Sequence, residues 1–287
     1  MISIFFALIA FLGWATGDIF STSASRKMGA YNASFYGYFI AFITAAFFIP
    51  IFLNNVNEFS LPMILLTIFL SVIQLIGFYF FNEGLKIGNA SLIGTIAGAF
   101  TFLVVLLSLV FLGERLVLQQ VLSIIVIIAG LFLVSINVRD IRKKVTITNK
   151  GILYAFIALV GWGIYYTFIK IPIKEVGFFW PTFLTDFVAS LVFFLFGFRQ
   201  IKKPSTKVQS GFPAVILASI ILSIGTFSFN FAIGQGFSSI VAPIAGAYPA
   251  LFALLAYYVF KDPITNQQKF GMMVTLIGIV FLAYFSK

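Results

Sequence analysis

The chain of 287 residues contains neither cysteine nor histidine. Without cysteine there is no disulfide framework, no thiolate nucleophile and no reading of the redox compartment. Without histidine, most zinc sites and the usual proton shuttle at neutral pH are excluded as well. Charge is also scarce: Asp, Glu, Lys and Arg make up 9% of the residues, against about 25% in a soluble domain, too few to clothe a water-facing surface. There is no GxxxxGK[ST] phosphate loop and no soluble domain, so ATP-driven work would need another chain. The expectation is a protein that is not an enzyme and carries no cofactor and no metal.

What is present is apolar. Hydrophobic residues make up 61% of the chain, in successive runs of about 20 residues, the length that carries a helix across about 30 Å of hydrocarbon. Strands of a barrel would be half as long and would alternate. With charge clusters and turn residues as punctuation, spans are predicted near 4–24, 31–53, 61–83, 89–112, 117–136, 151–171, 178–198, 212–233, 239–260 and 266–285. The start, Met1-Ile2-Ser3-Ile4, has no basic n-region and no small-residue cleavage site, so no cleaved signal peptide is expected. A multi-pass protein of a lipid bilayer follows, with a prokaryotic plasma membrane as the expected location. The net charge of +10 does not point to nucleic acid, because the basic residues sit in the short loops between spans.

The longest polar interruption, Asn137 to Lys150, lies at the middle of the chain. Shifting the sequence by 148 positions without a gap superposes the two halves. Gly13-Trp14 falls on Gly161-Trp162, Gly29 on Gly177, Gly77 on Gly225, Asn82 on Asn230 and Ala97-Gly98-Ala99 on Ala245-Gly246-Ala247. Further on, Glu114 meets Asp262, Gln119-Gln120 meets Gln267-Gln268 and Gly130 meets Gly278. Two of the three tryptophans pair in this way, which composition alone does not explain. The organisation is therefore read as a first five-helix repeat over 1–136, a basic linker over 137–148 and a second five-helix repeat over 149–287. Because five is odd, the second copy must enter the membrane from the opposite side. The predicted fold is all-α and integral to the membrane: ten transmembrane helices as two inverted five-helix repeats around a central cavity. Inverted repeats are the architecture of alternating-access transporters.

Two stretches carry a family resemblance. Ser91 to Ser135, with Leu112-Gly113-Glu114 and Gly130, resembles the fourth and fifth helices of an EamA-type repeat, and Ser238 to Phe285 resembles them again, with Lys261-Asp262 in place of Gly-Glu. A Gly-Trp in the first helix of each half fits as well. The chain thus resembles the ten-helix EamA-type branch of the drug/metabolite transporter superfamily along its whole length. That resemblance implies a transporter of small metabolites but does not name one, since the family includes exporters of amino acids, sugar uptake systems and nucleotide-sugar carriers.

Polar side chains inside a bilayer must find a partner or face water, so polar stripes at helical spacing mark a cavity or a helix seam. Trp14, Asp18, Ser21, Thr22 and Ser25 form one such stripe, and Trp162, Tyr165 and Tyr166 form an aromatic stripe at the matching place in the second half. Trp14 and Trp162 fall about 15 Å into their spans, near the midplane; they are candidate cavity walls or packing residues. Asp18 is the sharpest residue, because its mate Tyr166 is not acidic and a scaffold role would tend to recur in both halves. It is the candidate for substrate binding and for coupling to protons, with a helix-pairing role as the alternative. Gln74, Asn82 and Asn230 are further candidates on the third and eighth helices, with seam bonding or capping as the alternative for the asparagines. Tyr248 is a candidate because Pro243 and Pro249 flank it and are expected to bend only the second copy. Asp186, whose mate is Tyr38, is expected to be a structural hydrogen-bonding group, with coupling as its alternative. Lys170 is expected to snorkel to an interface, the alternative being a gate or an anionic-substrate contact.

Fourteen of the eighteen Lys and Arg lie on the face shared with residues 25–30, and only Arg115, Lys170, Lys174 and Lys287 lie on the other. The positive-inside rule therefore places the central linker in the cytoplasm and both termini outside, whereas the resemblance implies termini inside; the charge count is favoured. The expected function is secondary transport of a small polar or aromatic metabolite such as an amino acid, by export or exchange, in a protein that works as a monomer. A sugar uptake facilitator or proton symporter is the alternative within transport, and a lipid scramblase or structural membrane protein the alternative outside it.

Overall fold

The computed structural model describes residues 1–87, 96–135, 149–197, 206–261 and 264–286. The linker expected at 137–148 lies outside these residues. Apolar sequence in a medium without water must satisfy its backbone within each segment, and the described residues are accordingly helices and short connections with no strand. Among the described residues seven helices are long and apolar enough to cross a membrane, and two shorter apolar helices, Ile96–Phe111 and Leu118–Val134, accompany them.

In chain order the first half holds α1 (Ile2–Met28), α2 (Ala30–Ala46), a one-turn α3 (Ile49–Phe52), α4 (Leu61–Ile87), α5 (Phe100–Phe111) and α6 (Leu118–Ser135). The second half holds α7 (Asn149–Phe168), the short continuation α8 (Lys170–Val176), α9 (Phe179–Gly197), α10 (Thr206–Gln235), α11 (Ser238–Ala245), α12 (Tyr248–Phe260) and α13 (Asn266–Tyr284).

The halves are not two separate bodies, because the principal helix pairs cross between them: α1 packs on α10, α4 on α7 and α6 on α13. Each crossing is made close by glycines that the sequence repeat had matched. A methyl group added to Gly13 would lie 2.9 Å from the Gly225 Cα, and one added to Gly161 would lie 3.3 Å from the Gly77 Cα. The matched glutamines act in the same crossed fashion. Gln268 completes a capping box with Thr265 at the start of α13 and donates to the Val134 carbonyl at 3.2 Å. Its mate Gln120 accepts from the Val117 N–H at the start of α6 and donates to the Phe285 carbonyl at 3.0 Å. Each helix thus starts beside the end of the other, so α6 and α13 run antiparallel.

The expectation that prolines bend only the second copy is corrected. The chain breaks between α11 and α12 at Gly246-Ala247, but the proline-free mate is interrupted at the matching Ala99. Both places show the same tightening to i→i−3 bonds: Ala99 N–H to the Ile96 carbonyl and Phe102 N–H to Ala99, mirrored by Ala247 to Ile244 and Ala250 to Ala247. The break therefore belongs to the shared Ala-Gly-Ala segment; the prolines accommodate it rather than cause it.

Candidate functional site

At mid-depth, where α1, α2, α4, α5, α7, α9, α10 and α12 converge, lies a cavity of about 330 Å³, the size of a small-metabolite site. Its floor is formed by Trp14, Trp162, Tyr165 and Tyr166 with Thr182 and Thr185. From there the lining follows α1 from Asp18 to Ser21, α10 back from Ser223 to Val215 and α2 from Ala41 to Ala33. These residues lead toward the end of the bundle where Met28 packs against Gly211, the face of Arg26.

The walls obey the 148-residue spacing. Trp14 and Trp162, Asp18 and Tyr166, Tyr38 and Asp186, and Phe100 and Tyr248 are mates, and all eight line the cavity. The Trp14 ring lies 5.2 Å from Phe229 and 5.8 Å from both Tyr166 and Tyr248, and its Nε1 donates to Thr226 Oγ1 at 3.2 Å. Trp162 meets Phe81 at a tilt and Phe100 edge to face, with ring centroids 5.1 and 5.9 Å apart. Both tryptophans are therefore wall and packing residue at once.

Among the residues expected from sequence, the structure gathers Trp14, Asp18, Gln74, Trp162, Tyr165, Tyr166 and Tyr248 around one space. The Tyr248 hydroxyl pairs with the Asp18 carboxylate. Tyr165 is 1% exposed and donates to Thr185 Oγ1 at 3.4 Å, while Ser71 shares a 2.9 Å bond with the same hydroxyl. Asn230 stands one layer behind the wall, fully buried, donating to Thr182 Oγ1 at 2.7 Å. The side chain of Asn82 lies outside the described residues.

Asp186 is placed differently from its expected structural role. It lines the cavity at 8% exposure, and among the described residues its carboxylate accepts no hydrogen bond. Tyr38, Phe78 and Phe100 are also on the wall without having been singled out for it. The signal that finds them is the repeat itself, since Tyr38 is the mate of Asp186, Phe78 of Thr226 and Phe100 of Tyr248.

Below the floor the described residues close the bundle. An apolar plug that includes Phe11, Ile169, Phe229, Ile233, Val241 and Ile244 fills the space, and beneath it lies a buried ion pair. Lys170 is 4% exposed and does not snorkel. Its Nζ donates to Glu114 Oε1 at 2.7 Å and to the Gly236 carbonyl at 2.6 Å. Glu114 also accepts from the N–H groups of Ser238 and Ser239, each at 2.8 Å, and from the Ser239 hydroxyl at 2.6 Å. It therefore caps the N-terminus of α11, whose dipole favours a carboxylate. Gly113, at a φ of 65°, makes the left-handed turn after α5 that brings Glu114 back under the bundle; its mate Lys261 adopts the same geometry at a φ of 61°. Burial would raise the Glu114 carboxyl, but the Lys170 ammonium and the Ser239 hydroxyl and N–H outweigh it and hold the group below the ordinary carboxylate range. The Leu112-Gly113-Glu114 motif thus gains a role that spacing did not reveal.

Comparison with known proteins agrees with this architecture. The model of the EamA-like transporter family matches residues 1–136 and again residues 149–284. An uncharacterised transporter of Bacillus subtilis, YojE, is 24% identical over 147 residues, 48% of this chain and 48% of its own. An uncharacterised protein of Methanocaldococcus jannaschii is 29% identical over 68 residues, 24% of this chain and 50% of its own. The chain thus spans about half the length of the curated relatives it matches. A solved crystal structure shares the fold at a TM-score of 0.78 with 17% identity, covering 98% of this chain and 96% of the other.

Proposed function

The chain belongs to the EamA-like transporter family, and from that premise we propose that it is a secondary transporter that moves a small polar or aromatic metabolite by alternating access. It is an integral, multi-pass membrane protein. In our reading its spans number ten and form two inverted repeats, and the antiparallel contacts of α6 with α13 and the crossed glycine pairs support that reading. The observation that carries the proposal is the cavity: symmetry mates wall it, it extends toward the Arg26 face, and a plug and an ion pair seal it from the Lys170 face. Rocking the halves about that cavity would exchange the closed side for the open one.

Trp14, Trp162, Tyr165, Tyr166 and Tyr248 form the substrate walls, with Gln74 as a polar contact. Asn230 acts through Thr182, and Asn82 is a further candidate. Asp18 is the coupling carboxylate, because a charged group buried at this depth needs a compensating cation or a proton. The unit is a monomer in a prokaryotic plasma membrane, with export or exchange as the direction.

The test is solute counterflow in liposomes containing the purified chain, with and without a pH gradient. Asp18→Asn is expected to cut transport by about tenfold or more and to remove its response to the gradient. Unchanged rate and unchanged pH response would overturn the coupling role.

A further inference from the structure

The geometry points to a small organic cation as the occupant of the cavity: an ammonium or quaternary ammonium group on an aromatic or alkyl body, without a carboxylate. This inference narrows the transporter reading above and rests on it.

The chain carries eighteen Lys and Arg against eight Asp and Glu, yet among the described residues the cavity reverses that balance. Two carboxylates line it, Asp18 and Asp186, and no lysine or arginine does. Among the described residues Asp186 has no hydrogen-bond partner for its carboxylate, although it is more than nine-tenths buried. Among those residues Asp18 has the Tyr248 hydroxyl alone. Two carboxylates therefore line the same space unsatisfied or nearly so, and buried acceptors in that state are costly until a donor arrives. The missing complement is positive and donor-rich, or positive and apolar.

The aromatic residues agree with the charge. Each carboxylate is the symmetry mate of a tyrosine, Asp18 of Tyr166 and Asp186 of Tyr38, so each half contributes one acid and one ring. Tyr38 and Tyr165 lie within electrostatic reach of Asp186, and Tyr166 within reach of Asp18. With Trp14 and Trp162 they share the cavity wall with the acids, and the negative quadrupoles of aromatic ring faces attract ammonium groups. Aromatic walls alone would suit a sugar or an aromatic amino acid equally well. A sugar would leave the acids without a counter-charge. An α-amino acid would bring its own carboxylate into a space where the described residues place two acids and no base. An organic cation alone satisfies both the rings and the carboxylates.

The experiment compares three solutes that share a phenyl ring: phenyltrimethylammonium, phenylalanine and phenylpropionate. Each is titrated against the purified full-length chain by thermal shift and by tryptophan fluorescence, and each is then offered in counterflow to liposomes containing the protein. Phenyltrimethylammonium is expected to bind at least about tenfold more tightly than either of the others, a preference of about 1.4 kcal/mol or more. Asp186→Asn and Asp18→Asn are each expected to erase most of that preference. The solute series on the unsubstituted chain decides the matter even if a variant does not fold. A preference for phenylalanine or phenylpropionate, or no binding of the cation, would overturn the inference. Counterflow of an amino acid or a sugar without counterflow of the cation would also overturn it, while leaving the transporter reading intact. Tight binding of the cation without counterflow of any solute would support the site's charge preference and defeat the transporter reading instead.

Discussion

Lys170 and Glu114 illustrate how much a single side chain depends on its partner. A lysine near the end of an apolar span can send its ammonium to the interface, but this one is held by a carboxylate at 2.7 Å and a carbonyl at 2.6 Å. Taking one partner from a buried pair leaves the other charge uncompensated, so Lys170→Met is expected to cost about 3–5 kcal/mol, read as a lowered Tm in detergent. The double variant with Glu114→Gln should recover part of that loss. A pH dependence follows with a definite sign. The folded Glu114 carboxyl lies below its ordinary value of 4.5, so its contribution is fully present above that value and is lost as pH falls through the folded one. Thermal unfolding followed as pH is lowered from neutrality should show the loss in the native chain and a smaller one in Glu114→Gln; equal losses would assign the acid sensitivity to other groups.

At the scale of elements, the molecule is held by three crossed helix pairs whose close approach depends on residues without side chains. A methyl group on Gly130 would meet the backbone nitrogen of Thr275 at 2.5 Å, and one on Gly278 would meet that of Ile127 at 2.8 Å. These neighbours are backbone and cannot turn aside. Gly130→Ala should therefore push α6 away from α13 and cost about 1–3 kcal/mol, with Gly278→Ala behaving similarly; an unchanged Tm in both would show that this pair does not limit stability. Sequence matching had found these glycines and the paired glutamines beside them. It could not say that Gln120 and Gln268 each cap their own helix and reach the end of the other, because that depends on two segments more than a hundred residues apart lying antiparallel. The opposite lesson comes from α11 and α12. Pro243 and Pro249 are conspicuous in sequence, yet the proline-free copy is interrupted at the same place, and the less conspicuous Ala-Gly-Ala is what the two breaks share.

At the scale of the whole molecule, the structure is closed on the Lys170 face and its cavity extends toward the Arg26 face. The absence of native cysteine makes this directly testable, since any introduced thiol is unique. Ser223 lines the cavity, whereas Ser238 is fully buried at the sealed end. Ser223→Cys should react readily with a membrane-impermeant maleimide applied from the cytoplasmic side, as the charge count orients the chain. Ser238→Cys should stay protected and become reactive from the other side when combined with Lys170→Met. Reaction of Ser223→Cys only from outside would reverse the orientation, and protection of Ser238→Cys in both backgrounds would show that the ion pair does not hold the seal.

The sequence by itself determined that this protein lives in a bilayer, that it is helical, that it is made of two matching halves and which residues match. Those properties follow from composition, run length and self-similarity, which are local or additive along the chain. It also brought most of the cavity's residues to notice, because polar and aromatic side chains inside a membrane are too costly to be incidental. The tertiary structure decided what each of those residues faces. Asp186 lies on the cavity wall rather than in a helix seam, Asn230 lies behind the wall, and Lys170 is locked to Glu114 rather than extended to the interface. Those outcomes turn on distances between segments far apart in the chain, and a side chain's partner, unlike its hydropathy, exists only once those segments have packed.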